Sequence, residues 1–295
     1  MLEVRLLGQF ELRVDGVVHV LPSRPAQSLL AYLALHAGIP QRREHLAGLL
    51  WPDRSDVSAR RNLRTALWHI RKALGEEKSA AGGYILSDGI TTTFNRESAY
   101  WLDAAALEGV LEAGHTSPAL IELVALYRGE LLPGFYDDRV VLARDRLEAV
   151  FEAGIARLLG LLLAEERWSD VVAWSGRWIA FGRAPEPAFR ALMAGHAGLH
   201  DLPGVARVYS RCQEALRNEL GVEPSAETAA LYDALIKGQS LAGLAQQILP
   251  GSPARATSRA SAAGRGAEAP ARRRSVRESA GRRGAAVRRT RPRLA

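Results

Sequence analysis

The side chains best placed to do chemistry in this chain are Arg60, Arg61, Arg64, Thr65, Trp68, His69, Arg71 and Lys72. Their chemistry is recognition, not bond breaking. Guanidinium and ammonium groups bind phosphate oxygens, and polar or methyl-bearing side chains read base edges in a DNA groove. Between Arg54 and Lys72 stand six Arg or Lys and a single acid, Asp56. Leu63, Leu67, Ile70 and Leu74 recur at helical spacing through the same stretch, so one face is apolar and must dock on a core. The opposite face carries Arg61, Arg64, Thr65, Trp68 and Lys72, flanked by Arg60, His69 and Arg71. Such a helix suits the major groove of double-stranded DNA. Arg64, Thr65 and Trp68 project from its middle, where base edges are reached. Thr65 and Trp68 suit a thymine methyl, and Arg60 and Arg61 near the start suit phosphates. A solvated basic face is the alternative for this helix taken alone, and for Trp68 the alternative is packing beneath a neighbouring hairpin.

The elements around the helix decide between these readings. Leu2, Val4 and Leu6 alternate, as do Phe10, Leu12 and Val14, which is the period of half-buried strands. Asp15-Gly16 between apolar runs signals a tight hairpin. A first helix is expected over Arg24–His36, with Leu29, Leu30 and Leu33 inward and Gly38 as its stop. A second should run over Arg42–Trp51, burying Leu46, Leu49 and Leu50 and ending at Pro52. Ser55 and Ser58 compete to cap the third, basic helix. After it, Gly82–Phe94 reads as a second hairpin with Asp88-Gly89 at its turn. Sheet, three helices and a hairpin wing make a winged helix-turn-helix, an α+β fold whose third helix enters the major groove.

Catalytic alternatives find little support. A phosphate-binding loop needs Gly-Lys-Ser/Thr, and none of the three lysines, Lys72, Lys78 and Lys237, follows a glycine. His196 and His200 are spaced to share a helix face as metal ligands. The position a zinc protease fills with glutamate is Ala197 here, and a helix end explains the pair better. Asp137-Asp138 has no histidine near it in sequence, and such pairs are mostly solvated. No catalytic residue, cofactor or metal is expected. The single cysteine, Cys212, excludes an intramolecular disulfide framework. No apolar run reaches membrane-spanning length and no signal region opens the chain, so no membrane association and a cytoplasmic location are expected.

At 295 residues the chain has room for two domains. Its net charge of +7 is unevenly spread. Residues 251–295 hold 13 arginines and two acids, Glu268 and Glu278. The first 97 residues carry 13 basic and 10 acidic groups, which leaves Ser98–Pro250 at −7. A basic N-terminal region is thus followed by an acidic one.

That second region is helical in pattern, with loops at Pro118, Pro133-Gly134, Pro185-Glu186-Pro187, Leu202-Pro203-Gly204 and Gly221–Pro224. Shifting the sequence by 34 positions sets Ile155 on Phe189, Leu158 on Leu192, Leu159 on Met193, Val171 on Val205 and Val172 on Ala206. Thirty-four is the tetratricopeptide period, in which helix pairs bury their faces by stacking. Chance coincidence of apolar residues is the alternative.

Three phrases in the first region, Leu49-Leu50-Trp51-Pro52-Asp53, Arg61–Leu67 and Ile70–Gly75, resemble the DNA-binding domain of SARP-type bacterial transcriptional activators. Leu126–Asp137, Glu214–Ser225 and the following Leu231-Tyr232 resemble the bacterial transcriptional activation domain that adjoins it. The resemblance covers roughly Leu2 to Leu235. It implies an OmpR-like winged domain with no receiver domain before it, and a tetratricopeptide-like array that touches the winged domain. It also implies RNA polymerase as a partner and a homodimer on directly repeated sites. Trp168, Trp174 and Trp178 crowd one helix with more aromatics than that pattern leads one to expect.

The expected organisation is a winged helix-turn-helix DNA-binding domain over 1–97, an all-α tetratricopeptide-like activation domain over 98–240, and a disordered arginine- and alanine-rich tail over 241–295. The tail has almost no large apolar residue beyond Pro250, so it cannot offset its ordering entropy. It reads either as a basic arm or as the product of a truncation or shifted reading frame, and we favour the second. The expected function is sequence-specific transcriptional regulation, most simply activation. The alternative is a tetratricopeptide adaptor whose winged domain binds protein, which leaves so many arginines on one helix without a use.

Overall fold

The computed structural model describes residues 1–76, 83–135 and 138–249. Strand β1 (Leu2–Arg5) pairs antiparallel with β2 (Glu11–Val14), which turns through Asp15-Gly16 into β3 (Val17–His19). Asp15 and Gly16 both take positive φ, 49° and 81°, the geometry that matches the right-handed twist of a two-residue hairpin. Helix α1 (Arg24–Leu35) starts with Pro25 in its first turn and buries Leu29, Leu30 and Leu33. Gly38, at φ 83°, follows its end and donates its N–H to the Phe94 carbonyl at 2.9 Å. Strand β4 (Gln41–Arg42) leads into α2 (Arg43–Leu50). Leu46 is buried as expected, but Leu49 and Leu50 are only half-buried and Ala47 takes the second inward position. This eight-residue helix is too short to wrap a wide apolar stripe around the core, and the face packed on α3 is narrow.

Helix α3 (Asp56–Ala73) has Ser55 at its N-cap position, but that side chain accepts no backbone N–H of the helix and its hydroxyl donates to that of Ser58 at 3.1 Å. Leu63, Leu67, Ile70 and Leu74 are all buried. At the C-terminus Gly75 takes φ 73°, its N–H binds the Lys72 carbonyl, and the Glu76 N–H binds that of Arg71 at 2.7 Å. This is a Schellman closure, available because glycine tolerates the left-handed backbone. The Glu76 carboxylate then accepts the N–H groups of Tyr84 and Ile85, fastening the helix end to the wing. The wing is β5 (Ile85–Ser87) and β6 (Thr91–Phe94), with β4 on its other side in the order β4-β6-β5. Its turn is centred one residue later than Asp88-Gly89, on Gly89-Ile90. The Asp88 N–H meets the Thr91 carbonyl, and the Asp88 carboxylate accepts the N–H groups of Ile90, at 2.7 Å, and Thr91, at 2.5 Å. An aspartate that caps its own turn needs no positive φ at Gly89.

Beyond residue 97, where the helical region was expected to begin, the chain first returns to the sheet. Strand β7 (Tyr100–Leu102) lies parallel to β1, giving the order β3-β2-β1-β7. Helix α4 (Asp103–Glu108) follows, and the buried Asp103 carboxylate accepts the N–H groups of Leu6, Leu7 and Ala104 at 2.8, 3.0 and 2.8 Å. The joint is reinforced further on, where the Leu132 N–H reaches the Leu6 carbonyl at 2.9 Å and the Gly8 N–H reaches that of Glu130 at 3.0 Å. A Cβ on Gly8, whose φ is 85°, would sit 2.9 Å from the Arg128 carbonyl oxygen. Glycine is needed there for both backbone and space.

A turn of 3₁₀ helix over Gly109–Leu111 precedes α5 (Ser117–Ala125), α6 (Asp138–Ala164), α7 (Trp168–Phe181), α8 (Glu186–Gly198), α9 (Leu202–Leu220), α10 (Ala226–Ile236) and α11 (Leu241–Ile248). Helix α7 starts at Trp168 and α9 at Leu202, the 34-residue shift read in the sequence. Ile155, Leu158, Leu159 and Val171 are buried, and so are Phe189, Leu192, Met193 and Val205 opposite them in the repeat. Val172 and Ala206 are both half-buried. Equivalent positions share their burial, so the periodicity is structural.

The two phrases of the helical region now have a physical reason. Arg144 on α6 donates to the carbonyls of Leu131, Leu132 and Phe135 at 3.0–3.1 Å and pairs with Glu130 at 3.2 Å, holding the Leu126–Phe135 segment in place. Tyr127 of that segment stacks on Phe151 at 4.1 Å. In the later phrase Gly221, at φ 70°, ends α9, and Ser225 caps α10. The hydroxyls of Ser225 and Thr228 both donate to the Glu186 carboxylate. The crowded tryptophans occupy three different surroundings. Trp178 is buried, Trp174 lies under the Arg177 guanidinium at 5.2 Å, and Trp168 packs over Gly198, where any Cβ would lie 2.2 Å from its ring. Gly198 is therefore the price of placing that indole. His196 lies 2.9 Å from the Asp201 carboxylate, which also caps α9, and His200 sits past the end of α8 at φ 61°. The two histidines do not share a helix face. Asp138 opens α6, and Asp137 lies outside the described residues. The disordered tail expected over 241–295 starts too early: Leu241–Ile248 form α11, because Leu244, Ile248 and Leu249 are apolar and buried, and the rest of that span lies outside the described residues.

Candidate nucleic-acid interface

Helix α3 holds its side chains because its apolar stripe is locked into the core, which fixes its rotation about its own axis. Arg60, Arg61, Arg64, Thr65, Trp68 and Lys72 consequently face solvent, and His69 and Arg71 on the flanks are half-buried. Trp68 is 55% exposed and does not lie under the wing. Lys72 places its ammonium 5.1 Å from the Trp68 ring centre, and the His69 imidazole meets the indole edge-on at 4.9 Å. The Thr65 hydroxyl donates to the Arg61 carbonyl at 3.2 Å, one turn back, which turns its methyl outward. Arg60 pairs with Glu44 at 2.9 Å on the surface, so a phosphate would have to compete with that carboxylate. Exposed pairs of this kind are worth little and yield readily.

One cation of this face escaped the sequence reading. Arg43 opens α2, and its backbone N–H is anchored to the Ile90 carbonyl of the wing turn at 2.9 Å. Burial, and then the nearby positive charges of Arg71 and Arg64, lower its pKa below the usual arginine value, with Asp88 acting in the opposite sense. Arg43, Arg64 and Arg71 therefore converge from two helices. Among the described residues none of the three has a carboxylate within salt-bridge range. The Arg71 Nε is buried and finds no hydrogen-bond partner among the described residues. Like charges gathered with no carboxylate within pairing distance repel, and an incoming anion relieves that repulsion. The signal that could have found Arg43 is its place one residue after β4, a strand too short to read from sequence. At the wing tip Ile90 is 72% exposed.

Among the described residues no group of three or more His, Cys, Asp and Glu could hold a metal ion, and no helix is long and apolar enough to cross a membrane. An α+β domain with a wing is joined here to stacked helix pairs. Residues 102–236 match the family model of the bacterial transcriptional activator domain, and that segment is such a domain. It begins at the last residue of β7 and ends at that of α10. Among solved structures, Mycobacterium tuberculosis EmbR in complex with a low affinity phosphopeptide is similar, with a TM-score of 0.66 at 20% identity. The alignment covers 84% of this chain and 68% of that one, and at this identity the likeness speaks for the fold. No curated protein matches the sequence. Residues 102–236 thus match a bacterial transcriptional activator domain, and they adjoin a winged α+β domain in a fold like that of EmbR.

Proposed function

We propose that the chain binds double-stranded DNA sequence-specifically through the exposed face of α3, and activates transcription through contacts of its helical domain with RNA polymerase. The observation that carries this is the unpaired convergence of Arg43, Arg64 and Arg71 beside a helix whose other face is fixed in the core. In this reading Arg64, Thr65 and Trp68 meet base edges in the major groove, and Lys72 and His69 set the plane of the indole. Arg43, Arg60, Arg61 and Arg71 meet phosphates, and the wing with Ile90 lies along the backbone or the minor groove. Two copies bind head to tail on a directly repeated site. The acidic Ser98–Pro250 region, at −7, is repelled by phosphate and stands off the duplex, free to meet protein.

Trp68→Ala tests the indole's role. With its ring half in water, the substitution should leave the melting temperature within a degree or two while weakening binding to a cognate site about tenfold. A drop in melting temperature with operator preference intact would make Trp68 a packing residue. Deleting residues 251–295 tests the tail. The shortened chain should keep its preference for operator over random DNA and show a shallower dependence of affinity on salt, since those residues carry 13 arginines. Loss of discrimination on deletion would place specificity in the wrong part of the chain.

A further inference from the structure

Among the described residues, a cavity of about 590 Å³ lies where the C-terminal ends of α6, α8 and α10 meet the N-terminal turns of α7, α9 and α11. Protein interiors pack tightly enough that voids much larger than a water molecule are few. A volume of this size falls in the range of about 300–1,000 Å³ typical of small-molecule sites. Its walls are Leu163, Trp168, Leu202, Leu235, Leu241 and Ile248. The Trp168 wall exists because Gly198 leaves room for the indole. The lining also includes His200, Gln239 and Ser240, which bring hydrogen-bonding groups to it, and the carboxylate of Glu166.

The lid is α11. It follows Gly238, whose φ of 73° ends α10, and its Ile248 carbonyl accepts from the buried Arg190 guanidinium at 3.2 Å. Its own Leu244 and Ile248 are buried. The helix is thus anchored at its far end and hung on a glycine at the near end.

We propose that this cavity binds a neutral, largely apolar small molecule with one hydrogen-bonding end, which meets His200, Gln239 and Ser240. Among the described residues no Arg or Lys lines the cavity and Glu166 does, so a phosphate, sulfonate or carboxylate would enter without a counter-charge there. The chain's own continuation does not suit the site, because residues 251–295 offer only Val276, Val287 and Leu294 as large apolar groups among 13 arginines. A small molecule of the stated class is the occupant that matches the apolar walls and the hydrogen-bonding groups together.

The test titrates Nile red, a neutral apolar dye, into the full-length chain and follows its emission. The expected result is a saturable blue shift at one dye per chain. Ala197→Phe and Ala242→Trp each project bulk from the lining and should weaken that binding at least about tenfold. Ala242 is exposed, so its variant keeps the fold and carries the test if Ala197→Phe does not fold. The anionic dye anilinonaphthalene sulfonate should neither displace Nile red nor bind comparably. Unchanged Nile red affinity in Ala242→Trp overturns the proposal, as does equal affinity for the sulfonate. A blue shift that appears only as sedimentation shows self-association assigns the surface to a second copy and overturns it as well.

Discussion

Reversing two charges, Arg43→Glu with Arg64→Glu, is expected to reduce affinity for a cognate duplex at least about a hundredfold while leaving the fold intact. Each lost contact is worth about 1–3 kcal/mol, so two amount to about thirtyfold or more, and the repulsion of the new carboxylates carries the loss past about a hundredfold. The singles should differ in kind. Arg64→Ala relaxes preference at one base position, because Arg64 stands in the middle of α3 on its exposed face. Arg43→Ala weakens cognate and random duplexes alike, because its backbone is tied to the wing and its side chain sits at the margin of the face. Neither residue contributes to the core, so melting temperatures should hold or rise as Arg43 and Arg64 cease to repel Arg71. Equilibrium binding of each variant to a cognate and a scrambled duplex reads all of this. A double variant that binds normally would remove the convergent arginines from the interface.

Asp103→Ala should be the most destabilising polar substitution in the chain. The carboxylate is 1% exposed and accepts three backbone N–H groups, two of them from the first strand's exit. Leaving a buried donor unsatisfied costs about 1–3 kcal/mol, so loss of all three should remove about 3 kcal/mol or more. Against a typical stability of about 5–15 kcal/mol this is a large fraction. Asp103→Asn keeps one acceptor oxygen and should fall between the two. Urea unfolding of the three proteins gives the order directly. A loss under about 1 kcal/mol in Asp103→Ala would mean that β1 and α4 are held together by other contacts. Because the joint couples the winged and helical domains, the alanine variant should also expose the segment around Leu131 to proteolysis.

What the sequence made legible follows from which physical signals are local. The hairpin at Asp15-Gly16 and the apolar stripe of α3 are written in adjacent residues, and both appear where they were read. The 34-residue period survives because equivalent positions must bury the same face. The domain joint could not be read, since β7 is three residues long and Asp103 finds its partners 96 and 97 residues away. A tripeptide shows no alternation, and nothing near Asp103 announces that its carboxylate will be inward. Arg43 escaped for the same reason, because its membership of the basic face depends on how α2 is set against α3 and the wing. Leu49 and Leu50 show the converse, apolar residues whose helix was too short to bury them. The face of α3 was predictable because burial of Leu63, Leu67 and Ile70 determines by elimination what is left outside.

The central claim is that the α3 face reads DNA sequence, and selection of bound duplexes from a random pool tests it most directly. With residues 1–250 as bait, successive rounds should enrich a motif present as two direct repeats. The same selection with the Arg43→Glu, Arg64→Glu protein should enrich nothing. A pool that stays random with the unaltered protein, at a salt concentration where its folded state is confirmed, would contradict the account and leave the winged domain to bind protein instead.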